Sequence, residues 1–230
     1  MFGKAGERIL VEEYLEGEEV SVHVACDGTR SLYFATAQDH KQLRTGGSGP
    51  MIGGMGVIAP VPWVTLEMLE RIDQTITLPL LRGLHDANMP FTGCLFIGLM
   101  VTAEGPKVLE YNVRFGDPEA EAITLLYPDD LLELLFACAT GSLRIPKEGR
   151  FVHAFPTSSA AAIVLASPGY PQAPKIGFPI TINREGIPWE GDAHFFHADT
   201  RMGEKGLVTA GGRVIVAVFF PVPSFMDLYS

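Results

Sequence analysis

Between Pro106 and Arg114 the chain alternates by twos, with Leu109, Tyr111 and Val113 at one parity and Glu110, Asn112 and Arg114 at the other. Side chains on a strand alternate faces. The pattern therefore predicts a strand that buries Leu109, Tyr111 and Val113 in a core and presents Val108, Glu110, Asn112 and Arg114 on its other face. It forms the second arm of an expected hairpin, "GCLFIGLMVTAEGPKVLEYNV", turning at Ala103-Glu104-Gly105. Short β-rich runs precede it at "RILVEEYL", "EVSVHVAC" and "SLYFATA", the last two joined through Asp27-Gly28-Thr29.

The period lengthens between Thr65 and Ala87. Leu66, Leu69, Ile72 and Ile76 recur at helical spacing behind Thr65 as an N-cap. "EAEAITLLY" and "DDLLELLFACATGSL" predict two further helices, the second capped by Asp129 and stopped at Gly141. The glycine-dense stretch "RTGGSGPMIGGMG", Arg44 to Gly56, predicts a loop. After "RIPKEGRF", residues 144–151, the pattern returns to strands in "SSAAAIVLAS", "FPITIN" and "LVTAGGRVIVAVFF". The fold class is α+β: an antiparallel sheet with helices over residues 1–146, then a small, mostly β domain over 147–230. The end, "FFPVPSFMDLYS", is apolar and broken by prolines. It matches neither an amphipathic helix nor a polar tail, and an uncovered apolar tail predicts a tendency to aggregate.

Composition narrows the function classes. At 230 residues with 47% hydrophobic and 19% charged content, the chain can build a sizeable core. A net charge of −10 argues against a nucleic-acid surface, which needs clustered Lys and Arg. Cys26, Cys94 and Cys138 show no metal-ligand spacing and read as reduced, buried thiols. No apolar run reaches membrane-span length, and the first residues lack a signal-peptide core. A cytoplasmic protein is expected.

The polar face of the 106–114 strand carries the sharpest chemistry. Glu110 and Asn112 would have Cα atoms roughly 6.6 Å apart, close enough for both to reach one ion. A carboxylate with an amide oxygen is a hard donor pair suited to Mg²⁺ (or Mn²⁺) completed by water and phosphate oxygens. Arg114, one step on, can hold a phosphate or carboxylate through its fork. On these residues alone, a merely polar strand face stays open as the alternative. Likewise Gly53-Gly54-Met55-Gly56, set between Pro50 and Pro60, is either a plain surface loop or a backbone shaped to approach an anion. It is not a phosphate-binding P-loop, since no Gly-Lys-Ser/Thr follows. The acidic run from Glu12 to Glu19 reads as a solvated face, and "AQDHKQ" places Asp39, His40 and Lys41 after a strand, where sites are often built. His153, His194 and His197 pair with no nucleophile in a way that suggests a hydrolase triad.

Taken in order, "VEEYLEGEEVSV", "AQDHKQ", "GPMIGGMGVIAP", "KVLEYNVRFGDPEAE" and "LVTAGGRV" resemble the phosphoribosylamine–glycine ligase (glycinamide ribonucleotide synthetase) family of the ATP-grasp superfamily, over about residues 4–217. The resemblance implies the carboxy-terminal half of an ATP-grasp domain followed by the family's C-terminal domain. It also implies ATP-dependent joining of glycine to 5-phosphoribosylamine through glycyl phosphate, in purine synthesis. By the same resemblance Glu110 and Asn112 hold Mg²⁺, and Arg114 orients the glycine carboxylate or steadies the transferring phosphoryl group. Glu12, Glu13, Tyr14 and Leu15 lie along adenine, and Glu19 binds the ribose. Asp39, His40, Gly53, Gly54, Met55, Gly56, Asp117 and Glu119 line the side facing glycine and 5-phosphoribosylamine.

Departures from the family pattern add expectations. Met51-Ile52 stands where the family has Asn-Thr, Asp199 stands where "HAGT" has glycine, and the match fades after Val216. The family carries a long segment before the "EEYLEG" hinge, with an ATP-clamping lobe. This chain is therefore expected to be a fragment, inactive alone, whose partner is the missing amino-terminal half. The alternatives are a non-catalytic ATP-grasp module or another carboxylate–amine ligase of the superfamily. "RFGDPEAE" and "AQDHKQ" speak against the last.

Overall fold

The computed structural model describes residues 7–44, 48–183 and 191–222. The strands, in chain order, are β1 (Glu18–Asp27), β2 (Ser31–Tyr33), β3 (Gln38–Asp39), β4 (Gln42–Arg44), β5 (Ser48–Met51) and β6 (Gly56–Ala59). After the first helices come β7 (Thr92–Thr102) and β8 (Gly105–Asn112), and later β9 (Ser159–Ala166), β10 (Asp192–His197), β11 (Thr200–Gly203), β12 (Gly206–Thr209) and β13 (Arg213–Val222). The α-helices are α1 (Leu66–Ile72), α2 (Leu78–Asp86), α3 (Glu119–Leu126) and α4 (Leu131–Ala139).

Two antiparallel sheets organise these elements. The first runs β2-β1-β7-β8 and the second β10-β13-β9-β6-β3. β1 supplies two different faces by simple alternation. Val20, Val22, Val24 and Cys26 meet Leu95, Ile97 and Leu99 of β7 in a core closed by Leu69, Ile72 and Ile76. The opposite parity, Ser21, His23 and Ala25, points away from these helices. There a second core gathers Ala122, Ile123 and Leu126 of α3 and Leu134 and Cys138 of α4 with Val57, Ala160, Ala162, Val164 and Val216 of the second sheet. β9, which follows the 144–151 boundary, pairs directly with β6, which precedes it, from Gly56↔Ile163 to Ala59↔Ala160.

Several local expectations change. "RILVEEYL" forms no strand: Ile9, Leu10, Val11 and Tyr14 are 80% to 85% exposed, and without a neighbouring strand this stretch has no ladder to join. The Thr65–Ala87 helix starts as expected, with the Thr65 hydroxyl accepting from Met68 N–H at 3.2 Å. It widens into a π turn over Asp73–Thr77, where Leu78 N–H bonds the Asp73 carbonyl. Pro79 follows immediately and has no N–H to give, and a wider turn accommodates the lost bond and the ring. Asp130, not Asp129, caps α4, accepting from Leu132 and Glu133 N–H at 2.8 and 3.2 Å. Asp129 instead lies 3.7 Å from His153.

The glycine-dense stretch is not all loop, because β4 and β5 pair across it, Gln42 with Met51 and Arg44 with Ser48. Residues 45–47 of that stretch lie outside the described residues. "SLYFATA" keeps regular pairing only through Tyr33, then returns to β1 by the Ser21–Ala37 backbone bonds. "FPITIN" runs beside β12 without becoming a strand: Pro179 cannot donate, leaving a single bridge to Val208. The tail from residue 223 lies outside the described residues.

Candidate functional site

The face of β8 does not follow simple alternation. Asn112, Tyr111 and Glu110 pair with Phe96, Ile97 and Gly98, but the next pair is Leu99↔Val108, so Leu109 is an inserted bulge residue. The bulge reverses parity below it. Val108 consequently packs with the α1–α2 core, while Leu109 borders the cleft beside Glu110. Leu109, Tyr111 and Val113 were expected in the core and are 36%, 43% and 75% exposed. Past the bulge the expectation for the polar parity holds. Asn112 Nδ2 donates to Glu110 Oε1 at 3.0 Å, and Arg114 Nη2 reaches Asn112 Oδ1 at 3.5 Å.

Glu110 and Arg114 open on a cleft of about 430 Å³ shared with Asp39, Lys41, Gly53, Gly54, Asp117, Glu119 and Arg213. A second hollow of about 380 Å³ adjoins it through Asp39, Lys41 and Glu110 and reaches Glu19 and Ser21. Small residues make room. A Cβ on Gly98 would lie 3.2 Å from Glu110 Cγ, and one on Gly54 2.7 Å from Asp39 Oδ1 and 2.6 Å from Pro118 Cδ.

Charges in the cleft are unevenly matched. Lys41 pairs with Glu19 at 3.3 Å and Arg213 with Asp117 at 3.3 Å. Among the described residues Arg114 has only neutral hydrogen-bond partners, the Phe115 carbonyl at 2.9 Å and the Asn112 amide oxygen. Its guanidinium is exposed to the cleft and available to an anion. On the acidic side, burial and the Glu119 carboxylate push Asp39 up to about 7, against the pull of Lys41. Asp39 Oδ1 is buried with no hydrogen-bond partner among the described residues. Burial also raises Glu119, whose Oε1 accepts from Ser21 at 3.1 Å.

Besides Ser21, two contributors are absent from the pattern-based expectations, His23 and Arg213. His23, fully buried, accepts the Gly116 N–H on Nε2 at 3.1 Å, which leaves its proton on Nδ1. Burial and the nearby Arg114 charge lower it to about 3, so it stays neutral and holds the loop after Arg114. The available signal was its parity with Ser21 on β1. Arg213 reaches the cleft from the far sheet, and nothing local in "TAGGRV" announces that.

The structure brings Glu19, Asp39, Gly53, Gly54, Glu110, Arg114, Asp117 and Glu119 to these two hollows, with Asn112 bound to Glu110. His40 is exposed, its ring nitrogen 3.4 Å from the Gly56 carbonyl. Met55 packs against the second core, and Gly56 opens β6. Glu12, Glu13, Tyr14 and Leu15 lie in the segment before β1, outside any strand or helix, with Glu13 3.5 Å from Lys107.

The donor types on this rim are those a hard divalent cation would use. Glu110 and Asn112 offer a carboxylate and an amide group in mutual contact, and a 180° turn of the amide would present both oxygens together. Among the described residues no group of three or more His, Cys, Asp or Glu side chains is poised for a metal. Remaining ligands would come from water and phosphate oxygens, as Mg²⁺ commonly requires. No helix among the described residues is long and apolar enough to cross a membrane.

Comparison with known proteins gives a consistent picture. The family model for the phosphoribosylglycinamide synthetase ATP-grasp (A) domain matches residues 1–120, and that for the C domain of the same synthetase matches 160–220. A phosphoribosylamine–glycine ligase from Rhizobium meliloti (strain 1021) is 46% identical over 216 residues, 93% of this chain and 49% of the relative. One from Mesorhizobium japonicum is 44% identical over 93% of this chain and 49% of its own length. The crystal structure of the Thermotoga maritima phosphoribosylamine–glycine ligase superposes with TM-score 0.74 at 33% identity, covering 90% of this chain and 49% of that one. A biotin carboxylase domain of a thermophilic 2-oxoglutarate carboxylase, at 14% identity and TM-score 0.59, shares the fold. The chain thus spans about half the length of the curated relatives it matches.

Proposed function

This chain belongs to the phosphoribosylglycinamide synthetase family, and from that premise we propose that it carries the phosphoryl-transfer side of a phosphoribosylamine–glycine ligase. The whole protein would use ATP to join glycine to 5-phosphoribosylamine. The observation that carries the reading is the run Glu110, Asn112, Arg114 on one rim of the cleft, with Arg114 free of any carboxylate partner among the described ion pairs.

Each of these residues has a task in that chemistry. Arg114 binds the glycine carboxylate and keeps it aligned while a carboxylate oxygen takes the γ-phosphoryl group of ATP and ADP leaves, so that alignment replaces a chance encounter. The resulting acyl phosphate is open to attack by the amine of 5-phosphoribosylamine, with phosphate leaving. Mg²⁺ held by Glu110 and Asn112 would neutralise charge on the ATP phosphates. His23 and Ser21 hold the Gly116 loop and Glu119 in place beneath the reacting groups. Asp39, Gly53, Gly54, Asp117 and Glu119 wall the glycine side, with His40 and Met55 beside them in sequence and Gly56 at the start of β6. Glu19 faces the ribose side, and the segment from Glu12 to Leu15 lies along adenine. The ATP-grasp portion is read as residues 1–146 and the C-terminal domain as 147–230. The preceding half of the enzyme is the partner that completes the ATP clamp.

The test is ADP release measured with glycine and 5-phosphoribosylamine. Residues 1–230 alone are expected to show none, whereas the same residues joined behind the preceding half of the Rhizobium relative should require both substrates. ADP release from the joined protein that ignores glycine would overturn the assignment.

A further inference from the structure

Three stretches far apart in the chain meet at one side chain. Arg213, the first residue of β13, donates Nη1 to the Gly54 carbonyl at 3.2 Å and to the Asp117 carbonyl at 3.1 Å. Its Nη2 meets the Asp117 carboxylate at 3.3 Å. The surroundings are fitted to this guanidinium. A Cβ on Gly53 would lie 3.2 Å from both Arg213 Cζ and the Tyr170 hydroxyl, and one on Gly212 would lie 2.5 Å from the Tyr170 ring. Asp199 fixes the approach to Arg213 from the other side, accepting the Gly212 N–H at 2.9 Å.

The clasp bears on the cleft at two points. Gly54 abuts the Asp39 carboxylate, and Asp117 lies three residues beyond Arg114. Only a planar fork of donors reaches both carbonyls and the carboxylate together, and a lysine ammonium in the same place would serve fewer.

We propose that Arg213 is a positioning residue: it clamps the Gly53-Gly54 turn to the Arg114–Asp117 loop and so sets the separation of Arg114 from Asp39 across which the carboxylate substrate sits. The substrate part of this inference rests on the reading of Arg114 given above. The clamp itself rests on the contacts alone.

Amide hydrogen exchange on residues 1–230 reads the clamp directly. Met55 N–H bonds the His40 carbonyl at 3.1 Å and Gly116 N–H bonds His23, so both report on the clamped loops. Arg213→Gln should speed exchange at both by about tenfold, with the β7 amides unchanged. Arg213→Lys should show a smaller effect, and Asp117→Asn should loosen Gly116 more than Met55. Unchanged exchange at both amides would overturn the clamp. If Arg213→Gln fails to fold, Arg213→Lys and Asp117→Asn decide.

In the joined enzyme, Arg213→Gln should raise KM for glycine about tenfold with KM for ATP unchanged, and Arg213→Lys should recover part of the loss. Equal rises in both KM values, or none, would overturn the positioning role while leaving the ligase reading intact. Loss of glycine dependence in the unmutated joined enzyme would overturn the ligase reading instead, and the exchange pattern would still decide the clamp.

Discussion

Asn112 is bound to Glu110 side chain to side chain, Nδ2 to Oε1 at 3.0 Å, just past the bulge that shifts the β7–β8 register. The pair keeps the carboxylate turned along the cleft rim. In the joined enzyme, Glu110→Ala should lower Mg²⁺-dependent turnover about 100-fold or more by removing the only acidic member of the pair. Steady-state rates across a Mg²⁺ titration measure this. A Mg²⁺ dependence identical to the unmutated enzyme would remove Glu110 from the donor set.

Asp39 and His23 give stability opposite slopes with pH. Asp39 sits near 7 in the fold, raised from 3.8, so the native state holds a proton that the unfolded chain has released. Its contribution is full below about 4 and is lost as pH rises towards 7. His23 sits near 3, lowered from 6.5, so the unfolded chain holds the extra proton. Its contribution is full above 6.5 and is lost as pH falls towards 3. Between about 4 and 6.5 the two oppose each other. Urea unfolding of the Asp39→Asn variant should therefore show stability climbing with pH across that window more steeply than in the unmutated chain. Parallel profiles would refute the assignment of Asp39.

Gly54→Ala and Gly98→Ala should differ in size. The first forces a methyl to 2.6 Å from Pro118 Cδ, on a ring that cannot swing away, and should destabilise by about 1–3 kcal/mol. The second meets Glu110 Cγ at 3.2 Å, on a flexible side chain. It should leave stability within about 0.5 kcal/mol while displacing Glu110. Denaturant midpoints at constant slope report both.

Leu10→Ser with Val11→Ser removes apolar surface that is 81% and 83% exposed. The melting temperature of residues 1–230 should stay the same, and self-association seen by light scattering should fall. A lower melting temperature would mean that these side chains pack on something in the folded chain.

Local pattern announced much of this molecule because much of it is set by neighbours in sequence. The β7–β8 hairpin, the Thr65 cap and the α3 and α4 helices depend on contacts within a few residues of themselves. The polar parity of Glu110, Asn112 and Arg114 was legible for the same reason, and so was the loop that follows them. The fate of Leu109 was not, since a bulge is defined by the partner strand and β7 specifies it only once paired. Nor was the π turn, whose Asp73 side chain meets Tyr33 and Arg150, both far away in sequence.

The sequence by itself determined the strand-and-helix content, the donor chemistry of the 110–114 stretch and the family resemblance, all of which are carried by residue type and short spacing. Only the tertiary structure decided that Arg213 closes the cleft from the far sheet, that neutral His23 supports the Gly116 loop, and that the half-buried Asp39 comes within electrostatic reach of the buried Glu119. Each of those properties depends on distance through space and on burial. Neither quantity exists until β1, β8, β13 and the glycine turn have come together.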